Sequence, residues 1–216
     1  MTEYQIIVLG QSKPKGWFEL EIKGKPPFLV DEESIVRHSV RIGEIISEDL
    51  YRKLRDEADL AWLKFKAKQI LSRRMISERD LRRKLSEERR PKAIRDEAVT
   101  QLKNYGFIDD TQFAVGFIRS QIRQGAKSRL YLKKKLWEKG IDSEIADEAL
   151  NSELQEVDEI GAIKELAAKK YKTLRHLPPQ KAKSRLINFL RGRGFSWDMI
   201  KSSIDEFFKP DNTENF

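Results

Sequence analysis

One apolar spacing recurs three times along this chain, and it constrains the fold more than any other feature. Around Leu136, Leu132 lies four residues before, Ile145 nine after and Leu150 fourteen after. The same offsets from Leu190 meet Leu186, Met199 and Ile204, and from Leu85 they meet Leu81, Ile94 and Val99. All twelve positions are apolar, in a chain of which only 39% is hydrophobic. A step of four puts two side chains on one helix face, and a step of nine crosses a turn into the next helix. The origins stand 51 and 54 residues apart, too far for the common two-helix repeats and suited to a three-helix unit. The turns recur as well: Lys139-Gly140-Ile141-Asp142 aligns with Arg193-Gly194-Phe195-Ser196. In each, a glycine free to adopt the left-handed conformation ends one helix, and Asp or Ser caps the next.

The remaining punctuation places these units along the chain. Tyr4–Leu9 and Trp17–Ile22 read as two short strands joined by the turn residues Lys13-Pro14-Lys15-Gly16, and Phe28-Leu29-Val30 reads as a third strand at an edge. Asp31 is expected to cap a short helix that Gly43 interrupts. Ser47-Glu48-Asp49 opens a long helix carrying Leu50, Leu54, Ala58, Ala61, Leu63, Ala67 and Leu71. Ser77-Glu78-Arg79-Asp80 starts the helix of Leu81 and Leu85, and Pro91 suits the first turn of the helix after it. The expected fold is therefore all-α: three tandem three-helix repeats behind a small β-containing N-terminal element. The expected segments are 1–46 for that element, 47–106 for the long helix and repeat one, 107–155 for repeat two, 156–208 for repeat three, and 209–216 for a flexible tail.

Composition excludes several classes of function. With no cysteine, neither a disulfide framework nor a thiolate metal site exists. No apolar run approaches the roughly 20 residues of a membrane span, and no secretory signal opens the chain, so a soluble cytoplasmic protein without a membrane partner is expected. Asp109-Asp110 has no spaced oxygen partners for a hard metal ion and reads as the start of a helix near Thr111. His38 and His176, the only histidines, stand in no triad or ligand pattern, and Gly192-Arg193-Gly194 lacks the third glycine of a dinucleotide loop. No catalytic residue, metal ligand or cofactor is expected.

Charge points instead to a partner. The net charge is +8, and it is unevenly placed: residues 1–60 hold 9 basic and 12 acidic side chains, whereas residues 61–216 hold 34 and 23. Residues 119–139 carry eight Lys/Arg and one acid, and residues 141–160 carry eight acids and no Lys/Arg. Such segregation implies a basic face and an acidic face, suited to nucleic acid or a protein–DNA complex. Tyr131 and Trp137 are the only obvious aromatic candidates for stacking among the basic runs, too few for a dedicated single-strand platform.

With these residues in place the chain resembles the RecX regulatory family, bacterial modulators of the recombinase RecA. The resemblance rests first on Phe107-Ile108-Asp109-Asp110, Phe113-Ala114, and Leu136 followed by Lys139-Gly140-Ile141. Ile70-Leu71-Ser72-Arg73-Arg74 with Ser77 and Leu81 is similar to the family's first repeat, and Leu190-Arg191-Gly192-Arg193-Gly194-Phe195 to its third. Two departures stand in repeat two: Ser128-Arg129-Leu130-Tyr131-Leu132 replaces the family's Gly-x-x-Arg-Ile pattern, and Lys135 stands where an acid is common. The resemblance implies an elongated, curved, monomeric protein that lies in the groove of the RecA filament on single-stranded DNA. It would modulate, and in the main inhibit, ATP hydrolysis and strand exchange, or promote filament disassembly, in recombination and DNA repair, without being an enzyme. A helical-repeat protein that binds nucleic acid directly, and a scaffold that binds none, are the alternatives. The residues expected to contact the partner are Arg73, Arg74, Arg82, Arg83, Lys84, Arg119, Arg123, Arg129, Lys133, Lys134, Lys135, Arg191 and Arg193. Glutamate at Arg82, Arg83, Lys133 and Lys134 is expected to weaken binding and leave folding intact.

Overall fold

The computed structural model describes residues 3–154 and 159–208, which form two compact units, one ending at Asp109 and the next beginning at Asp110. The expected 155/156 boundary and the tail from residue 209 lie outside the described residues.

The first unit opens with an antiparallel sheet of β1 (Glu3–Ser12), β2 (Trp17–Ile22), β3 (Phe28–Asp31) and β4 (Ile45–Ser47), in the order β3-β2-β1-β4. Period-two alternation turns Ile6, Leu20, Ile22, Phe28 and Val30 toward one buried layer. The third strand lies at an edge, as expected. The opposite edge, β4, is a strand that the sequence reading lacked. Three residues are too few to show an alternation, and their pairing is supplied by the length of β1, which sets Tyr4 opposite Ile46. A short helix α1 (Glu32–Arg37) follows Asp31, whose carboxylate accepts from the Ser34 hydroxyl at 2.7 Å rather than from a helix N–H.

Helix α2 (Glu48–Leu71) begins where expected, with the Ser47 hydroxyl accepting from Leu50 N–H. It serves two cores. Leu54 and Ala58 seal the buried face of the sheet, and Leu63 and Ala67 pack on α3 (Glu78–Leu85) and α4 (Lys92–Asn104). Pro91 stands just before α4 rather than inside its first turn. Asp59 of α2 is buried at 4% exposure, and its carboxylate meets Arg90 at 2.6 Å and Arg55 at 3.8 Å. Burial pushes this carboxyl up, and the two guanidinium groups pull it only part of the way back. His38 Nε2 donates to the Glu57 carboxylate at 2.8 Å, a structural contact of the kind expected for it.

The second unit holds two three-helix modules. The first comprises α5 (Asp110–Arg123), α6 (Arg129–Glu138) and α7 (Ser143–Leu154), closed around Ala114, Ile118, Leu132, Leu136 and Leu150. The other comprises α8 (Glu159–Lys172), α9 (Pro179–Arg191) and α10 (Trp197–Ile204), closed around Ile163, Leu186, Leu190, Ile200 and Ile204. The chain is thus mostly helical with a small N-terminal antiparallel sheet. Ten of the twelve repeat positions are buried; Ile145 and Met199 are half-buried against their cores. In those two modules the next residue, Ala146 or Ile200, takes the inward position. The turn preceding each helix sets its phase, and the nine-residue count meets that phase at Ile94 but misses it by one in these two modules.

Candidate interaction surface

Most of the cations expected at the surface stand on helices, while Arg73, Arg74 and Arg193 stand in the turns after α2 and α9; the structure divides them by what they already hold. In the first unit Arg82 meets Glu78 on its own helix at 2.9 Å and Asp96 on α4 at 2.6 Å, while Lys103 reaches Glu78 at 2.8 Å. This cluster ties α3 to α4. Burial pushes the Glu78 carboxyl up, but hydrogen bonds from Lys103 and Arg82 outweigh it and hold the group below the usual carboxylate range. A depressed carboxyl stabilises the fold above its unfolded value of about 4.3, and that stabilisation is lost as pH falls through the folded value. Glu78→Gln is therefore expected to cost about 1 kcal/mol near neutral pH. The gap from wild type should close in urea titrations taken down to acidic pH.

In the second unit the basic and acidic runs face each other. Arg119 of α5 holds Glu153 of α7 through two bonds of 2.7 and 2.9 Å. Lys133 of α6 holds Asp147 of α7 at 2.6 and 2.8 Å, Arg129 approaches the same carboxylate at 3.8 Å, and Arg129 also donates to Asn151 at 2.7 Å. The hydrogen bond from Lys133 draws the Asp147 carboxyl below its usual range. Alternating charge blocks in the sequence are thus in part cross-helix pairing, not two separate faces. Because α5 and α6 both pack on α7, opposite signs meet inside one module. Lys135 is held by Glu138, and Arg83 approaches Asp80 at 3.2 Å.

Arg193 is engaged differently. Its guanidinium lies 3.9 Å from the Phe189 ring centre, and its backbone carbonyl accepts from Ser128 N–H at 3.1 Å. The Ser128 hydroxyl donates to the Gly194 carbonyl at 2.7 Å and accepts from Tyr131 N–H, so it caps α6 and holds the α9–α10 turn together. Glu159 accepts from Arg129 N–H at 2.9 Å, a carboxylate at the positive end of α6. Burial, then the neighbouring Arg193 charge, pushes the Lys127 ammonium down. Sequence reading found Ser128 only as part of a motif; its role as a bridge needs a residue 66 positions away. Tyr131 lies half-buried beneath Lys127 and Lys135, which leaves Trp137, 69% exposed, as the accessible aromatic of the two considered for stacking.

Besides Arg193, which stacks on Phe189, six of the expected cations enter no ion pair among the described residues: Arg73, Arg74 and Lys84 in the first unit, and Arg123, Lys134 and Arg191 in the second. Long aliphatic stems carry these charges into solvent, where a polyanion or an acidic protein surface can reach them. Among the described residues no group of three or more His, Asp or Glu side chains is arranged to hold a metal ion. No helix among them is long and apolar enough to cross a membrane.

Tandem three-helix modules with cations on their surface define a helical-repeat protein. The model of the second three-helix domain of RecX matches residues 109–150, and that of the third matches residues 157–204. A Regulatory protein RecX from Clostridium acetobutylicum is 28% identical over 94% of this chain and 95% of its own length. One from Streptococcus pyogenes serotype M5 is 28% identical over 94% of this chain and 78% of its own. A solved regulatory protein RecX shares the fold with a TM-score of 0.68 at 24% identity, over 94% of this chain and 99% of that one. The RecX structure from Lactobacillus salivarius gives 0.56 at 24% identity, over 68% and 96%. Residues 109–150 and 157–204 thus match domains of the RecX family, and the chain as a whole is similar to RecX regulatory proteins.

Proposed function

We propose that this chain regulates RecA in the cytoplasm without chemistry of its own, by binding the filament that RecA forms on single-stranded DNA and restraining ATP hydrolysis and strand exchange. The observation that carries this reading is this set of six cations without an ion pair among the described residues. Three of them belong to the first unit and three to the second. A filament offers both phosphate and acidic protein surface to such charges. No cofactor enters this reading.

The structure changes which substitutions make a clean test. Arg82 and Lys133 hold α3 to α4 and α6 to α7, so glutamate there would repel Asp96 or Asp147 and disturb the fold along with any surface. Lys84, Arg123, Lys134 and Arg191 carry no such duty. Changing all four to glutamate is expected to weaken binding to RecA filaments by tenfold or more and leave urea unfolding close to wild type. The residual binding should depend less steeply on salt. RecA filaments, RecA without DNA and bare single-stranded DNA are to be compared side by side. Undiminished filament binding would sink the proposal. Binding to bare DNA as tight as to filament would favour direct nucleic-acid recognition instead.

A further inference from the structure

Helix α6 is apolar on two sides. Leu132 and Leu136 are fully buried in the module core, yet Leu130 is 74% exposed and Trp137 is 69% exposed. Seven residues make almost two full turns, so Leu130 and Trp137 share one outward stripe. Beside that stripe lies a hollow of about 320 Å³, walled by Leu130, Trp137, Ile141 and Ala146, with Lys133 and Lys134 on its rim. On the other side of Leu130 lies a second hollow of about 490 Å³, with Leu130, Phe195 and Met199 as its apolar wall and Arg129, Lys133, Asp147 and Glu159 as its charged one. Leu130 is the ridge between them. The Ser128 bonds to Arg193 and Gly194 hold both walls of the second hollow in one piece. Clustered exposed apolar side chains in a polar surface mark a contact site.

The charges around this stripe select its occupant. Arg129 and Lys133 meet Asp147, Glu159 lines the second hollow, and Lys134 has no ion pair among the described residues, so three cations stand against two carboxylates. The rim is therefore net positive. The first hollow is almost wholly hydrocarbon; its one hydroxyl, Ser143, already faces Asp147 at 3.5 Å. A nucleobase placed there would leave its polar edge without partners, which is costly in an apolar site. Aliphatic or aromatic side chains fill such hollows without that cost. We infer that the α6 stripe docks a protein segment that presents two apolar side chains, one on each side of Leu130, flanked by a carboxylate that meets Lys134. Resting on the reading above, that segment belongs to the recombinase itself and not to the DNA it coats.

The test uses the full chain with Leu130→Asp and, separately, Trp137→Ala, measured against RecA filaments, RecA without DNA, and bare single-stranded DNA. Both residues are exposed, so melting is expected to match wild type; Trp137→Phe provides a milder control should Trp137→Ala unfold early. Each groove variant should bind RecA at least tenfold more weakly with or without DNA, as buried anchors at interfaces do, and bind bare DNA as wild type does. Groove variants that hold RecA normally, while the four-cation variant does not, would overturn this inference and leave the proposed function standing. A loss confined to bare DNA would overturn it in favour of a nucleic-acid site. Failure of the wild-type chain to bind RecA in any form would overturn both.

Discussion

Gly194→Ala is expected to destabilise the second unit by about 2–4 kcal/mol, whereas Gly106→Ala in the first unit is expected to cost about 1 kcal/mol. The two glycines end helices in nearly the same left-handed conformation, with φ of +81° and +75°. A side chain pays the conformational cost at both. Their surroundings differ. A Cβ at Gly106 would meet nothing within 4 Å, but one at Gly194 would lie 2.5 Å from Tyr131 Cβ and 2.7 Å from Ser128 Oγ. Tyr131 Cβ is the root of its side chain and cannot swing aside without moving α6. Ser128 caps α6 through the same hydroxyl, so displacing it also loosens that helix end. Urea unfolding of the two variants gives the comparison. Equal losses would mean that the α9–α10 turn and α6 are not in close contact.

Arg90→Met is expected to destabilise the first unit by about 2–3 kcal/mol, somewhat below the usual cost of breaking a buried ion pair because Arg90 is 21% exposed. The substitution removes the 2.6 Å partner of a buried carboxylate and leaves Asp59 with only Arg55, at 3.8 Å. Because burial already outweighs both arginines at Asp59, the pair is not a net source of stability. The double variant Asp59→Leu/Arg90→Met should therefore recover most of the loss, since it removes the buried charge together with its counter-ion. The same imbalance has a sign in pH. A carboxyl raised in the folded state favours folding at acidic pH and opposes it as pH rises through the folded value, so the Arg90→Met deficit should shrink on acidification. A double variant as unstable as the single would show that Asp59 is held by more than its charge.

Most of the architecture was legible because its causes are local. Leu81 with Leu85, Leu132 with Leu136 and Leu186 with Leu190 are four apart, and the helical period alone sends each pair to one face. Ser47, Ser77, Ser128 and Ser196 each accept a hydrogen bond from the N–H three residues on, a geometry that any helix start with serine before it can form. Strand β4 escaped because its three residues carry no period of their own. Of the surface, the identity of the cations was legible but their availability was not. Lys133 and Lys134 are neighbours of one type in the sequence, yet one grips Asp147 and the other has no ion pair among the described residues.

The sequence by itself determined the helices, their caps, the threefold apolar spacing and the likeness to the RecX family, since these depend on residues within about one repeat of each other. Tertiary structure alone decided which charges cancel, how Asp59 comes to lie against Arg90, why Gly194 tolerates no side chain, and that Leu130 and Trp137 flank hollows instead of joining a core. Each of those depends on the distance between side chains on different helices. Pairing energy falls off within a few ångströms, and a one-residue shift of phase at a turn is enough to redirect a side chain from a core to its surface.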